Sequence, residues 1–131
     1  MKQGNRYLLV DDDEIIGFMH PAIIRRVDPE AFIEVFRDPV EAMEYLQQQR
    51  IQNEPAPNYI FLDINMPFMN GFEFLSRLST ENRVYIANTK VIMLSSSIDS
   101  RDIEKAKSYP IIADFISKPL SMDYLSKLLT D

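Results

Sequence analysis

The chain has 131 residues, 46% of them hydrophobic and 26% charged, with no cysteine and a formal net charge of −6. This length and balance suit one globular domain, read as spanning 1–131 with its core over about 6–129. The acidic surplus argues against nonspecific nucleic-acid or anionic-membrane binding, and the lack of cysteine excludes disulfides and thiolate metal sites. No signal-like segment opens the sequence and no apolar run reaches membrane-spanning length, so a soluble, cytoplasmic protein is expected.

In chain order, Tyr7–Val10 reads as a short buried strand that stops on the acid cluster Asp11-Asp12-Asp13-Glu14. A helix is predicted over Glu14–Arg26, capped by Asp13. Pro21 falls inside it and removes a hydrogen bond to the Gly17 carbonyl, so a kink or a restart near Pro21 is expected. His20, the sole histidine, lies on this helix and is expected to be solvated or packed, away from any chemistry.

Phe32–Phe36 is the second predicted strand. The second helix, Pro39–Ile51, carries its own start signal, with Asp38 as N-cap, Pro39 at the first helical position and Glu41 at the third, a capping-box arrangement. Val40, Met43, Tyr45 and Leu46 mark its apolar side. Residues Gln52–Asn58 make a turn too short to separate two cores.

A third strand, Tyr59–Leu62, exits on Asp63 and breaks into a loop containing Asn65, Pro67 and Gly71. The remaining elements are helix Phe72–Thr80, strand Val91–Leu94 followed by Ser95-Ser96-Ser97, helix Ser100–Ser108, strand Phe115–Ile116 followed by Lys118-Pro119, and helix Met122–Leu129. Ser121 caps this last helix, and Asp123 sits favourably in its first turn. Ser97 reads as a loop or cap residue.

Strands and helices that alternate in this way imply an α/β fold, a doubly wound parallel sheet with helices on both faces. Right-handed crossovers then bring every strand's C-terminal end to one rim, where such sheets bind ligands. Asp11, Asp12, Asp63, Ser95, Ser96 and Lys118 all fall on that rim. Hard carboxylate oxygens suit Mg²⁺, with Asp12 and Asp63 as ligands and Asp11 beside them, directly or through water. Asp63 attacking a phosphoryl group would build negative charge on its oxygens, to be met by metal, the Lys118 ammonium and the Ser95 hydroxyl. Pro119 restricts Lys118 to an extended backbone.

At these residues the sequence resembles the receiver domain of two-component response regulators. The resemblance rests on Leu9-Val10-Asp11-Asp12, on Leu62-Asp63-Ile64-Asn65-Met66-Pro67 with Asn70-Gly71, on Val91–Ser96, and on Phe115-Ile116-Ser117-Lys118-Pro119. It runs from about Arg6 to the end, and the order and spacing of the four motifs make it specific. It implies a five-stranded (βα)5 sheet of flavodoxin-like order 2-1-3-4-5. It also implies that Asp63 accepts phosphate from a sensor histidine kinase or histidine phosphotransfer protein.

By the same resemblance Asp11, Asp12, Asp63 and the Asn65 main-chain carbonyl would hold Mg²⁺ (or Mn²⁺). Ser95 would be the switch hydroxyl, with Ser96 beside it, Lys118 the phosphate-facing lysine, and Phe115 the switch aromatic. An aromatic in a strand is equally a core residue. The state would be read out by an unknown downstream protein on the face made by the fourth helix, fifth strand and fifth helix. No nucleic-acid or membrane partner is implied, a monomer or weak dimer is expected, and the only catalysis is of the domain's own phosphorylation and dephosphorylation. No output domain is expected after the last helix. Two alternatives stand beside this: a haloacid-dehalogenase-like phosphatase with Asp11 as nucleophile, which leaves Asp63 without a role, and a degenerate receiver acting only as a binding module.

Overall fold

Five parallel strands alternate with five helices in the computed structural model, which describes residues 4–97 and 99–130. They run β1 (Arg6–Val10), α1 (Glu14–Val27), β2 (Phe32–Phe36), α2 (Pro39–Ile51), β3 (Tyr59–Asp63), α3 (Gly71–Asn82), β4 (Lys90–Ser95), α4 (Ser100–Lys107), β5 (Ile112–Ser117) and α5 (Met122–Thr130). The sheet order is β2-β1-β3-β4-β5, the order that the resemblance implied.

Alternation along the central strands divides the core in two. Leu8, Val10, Ile60, Leu62, Val91 and Met93 face one way, against Leu46 of α2 and Phe74, Leu75 and Leu78 of α3. Tyr7, Leu9, Tyr59, Phe61, Ile92 and Leu94 face the other way, against Ile24 of α1 and Leu125 of α5. β3 lies at the middle of the sheet and is buried along its whole length, which is why it reads as an unbroken apolar run. Among the described residues, no helix is long and apolar enough to cross a membrane.

The helix starts follow from short polar side chains. Asp13 accepts from the Ile15 and Ile16 N–H groups and caps α1, as predicted. Asp38 caps α2 through Val40 N–H rather than that of Glu41, a short-range turn in place of the expected capping box. The reciprocal box occurs instead on α3, between Asn70 and Glu73. Asp99 caps α4, which leaves Ser97 as a loop residue. Ser121 caps α5 by accepting from Tyr124 N–H.

Two further expectations are corrected. α1 runs without a restart through Pro21. His20, Pro21 and Ile24 are all buried, and packing on both sides of the proline offsets a penalty of about 3 kcal/mol. On α2 the buried face is Pro39, Ala42 and Leu46, whereas Val40 is exposed. A small alanine at the helix–sheet contact is invisible to a reading that follows large side chains.

Candidate functional site

Strand register assembles the site. Val10 pairs with Leu62, Asp63 with Leu94, and Ser95 with Ser117, so the ends of β1, β3, β4 and β5 lie within about one residue of a common line. Two main-chain bonds extend this line past the strands: Ile64 N–H donates to the Leu94 carbonyl at 3.1 Å, and Lys118 N–H donates to the Ser95 carbonyl at 2.8 Å. Asp11 follows β1, Asp63 ends β3 and Lys118 follows β5, so all three converge there.

The side chains meet closely. Lys118 Nζ lies 2.9 Å from Asp11 Oδ2 and 3.2 Å from Asp63 Oδ1. Asp11 and Asp63 are only 4% and 3% exposed, so both carboxylates give up most of their hydration. Asp11 Oδ1 accepts from Asp13 N–H, and Asp63 Oδ1 accepts from Asn65 N–H at 3.4 Å. Carboxylate oxygens of Asp11, Asp12 and Asp63 lie within 4.8 Å of one another.

This crowding sets the electrostatics. Burial, and then repulsion from Asp11, push the Asp63 carboxyl up to about 7, against the opposing pull of Lys118. Burial works to lower the Lys118 ammonium, but Asp11 and Asp63 outweigh it and hold the group above the usual lysine range. Two carboxylates thus share one ammonium, with a third, that of Asp12, close to them. Asp11 Oδ2 is buried and makes no hydrogen bond of good geometry, although the ammonium stands beside it. Hard oxygens, close spacing and uncompensated negative charge fit a divalent cation such as Mg²⁺.

Residues 7–130 match the response regulator receiver domain. The chain belongs to that family. A two-component response regulator of Cytophaga hutchinsonii superposes with a TM-score of 0.89 at 30% identity, covering 98% of this chain and 96% of that one. The manganese-bound form of response regulator Rcp1 superposes with a TM-score of 0.71 at 26% identity, over 95% and 88% of the two chains. The probable methanogenesis regulatory protein FilR2 of Methanothrix harundinacea is 26% identical over 95% of this chain and 78% of its own length. Several longer curated relatives are spanned only in part, from 29% to 48% of their length.

The other predicted residues of this receiver are spread more widely. The Ser95 hydroxyl donates to the Ser97 carbonyl and accepts from Ser97 N–H, so it is turned into its own loop. Ser96 is exposed in that loop. Phe115 is half-buried on the α3 side of the sheet, packed against the core.

Two further residues neighbour the site. Arg37 Nε donates to the Asp12 main-chain carbonyl at 3.3 Å. His20, read as lying away from the chemistry, is packed as expected but bonds Leu120, two residues beyond Lys118. Its four-residue spacing from buried Ile24 was the available signal that it faces inward.

Proposed function

We propose that this receiver is a phosphorylation switch in which Asp63 takes a phosphoryl group from a phosphohistidine donor. The observation that carries the reading is the buried contact of Lys118 Nζ with Asp63 and Asp11 at the sheet rim. An Asp63 carboxylate oxygen forms a bond to phosphorus as the bond from phosphorus to the donor's imidazole nitrogen breaks. The freed imidazole nitrogen then takes a proton from solvent. Asp63 must be ionised to attack, so a carboxyl held near 7 gains activity when its surroundings favour the anion.

Asp11, Asp12, Asp63 and the Asn65 main-chain carbonyl would hold Mg²⁺ (or Mn²⁺), which when bound neutralises charge on the transferring phosphoryl oxygens. Lys118 supplies the second positive charge. Ser95 supplies a hydroxyl once it leaves its bonds with Ser97, and Ser96 lies beside it. That rearrangement favours one of two states of the domain, with Phe115 repacking beside it. Read-out falls on the face of α4, β5 and α5, where the edge strand leaves Ala113, Asp114 and Ser117 exposed and Tyr124 reaches back to Asp114.

The surface beside Asp63 supports a protein donor. Phe68, in the loop that follows the acceptor, is 100% exposed and holds φ at 71°, a backbone region costly for a bulky residue. Ile15 and Phe18 on the first turns of α1 are exposed as well. Exposed apolar side chains around an acceptor suit a sensor histidine kinase or histidine phosphotransfer protein in the cytoplasm.

Incubation with Mg²⁺ and acetyl phosphate, followed by intact mass, tests the proposal. One base-labile phosphoryl adduct should form, and it should be lost in Asp63→Asn. An adduct that survives in Asp63→Asn but disappears in Asp11→Asn would point instead to phosphatase-like chemistry on Asp11.

A further inference from the structure

His20 is 1% exposed, and its Nε2 accepts the Leu120 main-chain N–H at 3.1 Å, tying α1 to a segment 100 residues away. An imidazole nitrogen that accepts carries no proton, so the ring is neutral with its proton on Nδ1. Burial favours that form; Asp11 and Asp13 oppose it and Lys118 reinforces it. Leu120 lies two residues beyond Lys118, whose ammonium contacts Asp11 and Asp63, so this bond sets the ring against the segment that carries the lysine.

The chain from Lys118 to Leu120 has only two main-chain donors, because Pro119 has no N–H. Lys118 N–H goes to the Ser95 carbonyl on β4, and Leu120 N–H goes to His20 on α1. The backbone of Lys118 is therefore held on one side by the sheet and on the other by this single imidazole. Leu120 is also buried, in the core layer shared by α1 and α5, so its N–H has no ready access to water.

We infer that His20 is a positioning residue for Lys118: by holding the Leu120 N–H it fixes where the ammonium stands between Asp11 and Asp63. The inference rests on the phosphoryl-transfer reading above. A displacement of about 1 Å in a group that stabilises transferring charge is enough to cost a large factor in rate. The plainer role, a buried polar side chain that serves stability alone, predicts a different set of kinetics.

The test compares rates of adduct formation from acetyl phosphate and Mg²⁺ in five full-length chains: wild type, His20→Leu, His20→Gln, Lys118→Ala and the double variant His20→Leu/Lys118→Ala. His20→Leu should be slower by about tenfold, while His20→Gln, whose carbonyl oxygen can reach the Leu120 N–H, should stay within about twofold of wild type. The double variant should be no slower than Lys118→Ala, since nothing remains to be positioned. The Leu120 amide should exchange faster in His20→Leu than in wild type. If His20→Leu fails to fold, His20→Asn replaces it, because its shorter amide stops before the Nε2 position.

A His20→Leu chain that matches wild type, or whose loss multiplies with that of Lys118→Ala, overturns the inference and leaves the acceptor role intact. A wild-type chain that forms no adduct on Asp63 removes both.

Discussion

A Cβ on Gly71 would stand 2.7 Å from the Asp63 carbonyl oxygen, closer than real side-chain contacts allow. The glycine allows α3 to begin directly under Asp63, and Gly71 N–H donates to the Ile64 carbonyl at 2.8 Å to seal the approach. The requirement is for space, because no described glycine has a positive φ. Met93 Cε, 2.9 Å from the same point, ends a flexible side chain and can move; the Asp63 carbonyl belongs to the backbone and cannot. Gly71→Ala should cost about 1–3 kcal/mol, lowering the midpoint of thermal unfolding by several degrees. It should also slow phosphorylation, because the shift is delivered to Asp63 itself. Unchanged melting and unchanged rate would mean that α3 gives way freely.

Lys118 competes with any metal for the same two carboxylates. Lys118→Ala should leave Asp11 and Asp63 unpaired and lower stability by up to about 3 kcal/mol without Mg²⁺. Mg²⁺ should then raise the melting temperature of the variant more than that of wild type. On the proposed mechanism the phosphorylation rate should nevertheless fall by roughly a hundredfold, since the charge assigned to the transferring oxygens is gone. Equal Mg²⁺ stabilisation in both proteins would contradict this competition.

Asp63 gives the fold a definite pH dependence. Its folded value, about 7, lies above the ordinary 3.8, so folding holds a proton that the unfolded chain releases between those two values. Raising the pH through that window therefore destabilises the native state, with the effect fully present above about 7. Asp63→Asn removes the titration. Without metal, the variant should melt like wild type near pH 4 and increasingly above it up to about pH 8. A difference that stays constant with pH would show that another group dominates. Mg²⁺ binding to wild type should correspondingly tighten as pH rises through the same range.

The ends of β1, β3 and β4 were legible because strands buried on both faces make apolar runs that stop abruptly at Asp11, Asp63 and the serines. β5 was not. As an edge strand with Ala113 and Asp114 exposed, it lacks such a run, and only Phe115–Ile116 was read from a strand that spans Ile112–Ser117. Asp11, Asp12 and Lys118 could be assigned to one rim because each simply follows a strand. His20 and Arg37 could not be assigned to it, since their partners are distant main-chain atoms that only the finished packing brings near. Pro21 went the other way: a local rule predicted a kink or a restart, and with its neighbours buried the helix runs on without a restart.

Because Lys118 bridges Asp11 and Asp63 from beyond β5, this site closes only after all five strands have been made. A ribosome releases the two acids well before the lysine that balances them, at a pace of about 5–20 residues per second. Until β5 pairs with β4, a nascent chain carries facing carboxylates with no ammonium between them. The full set of charges at the site therefore exists only once the fifth strand has joined the sheet.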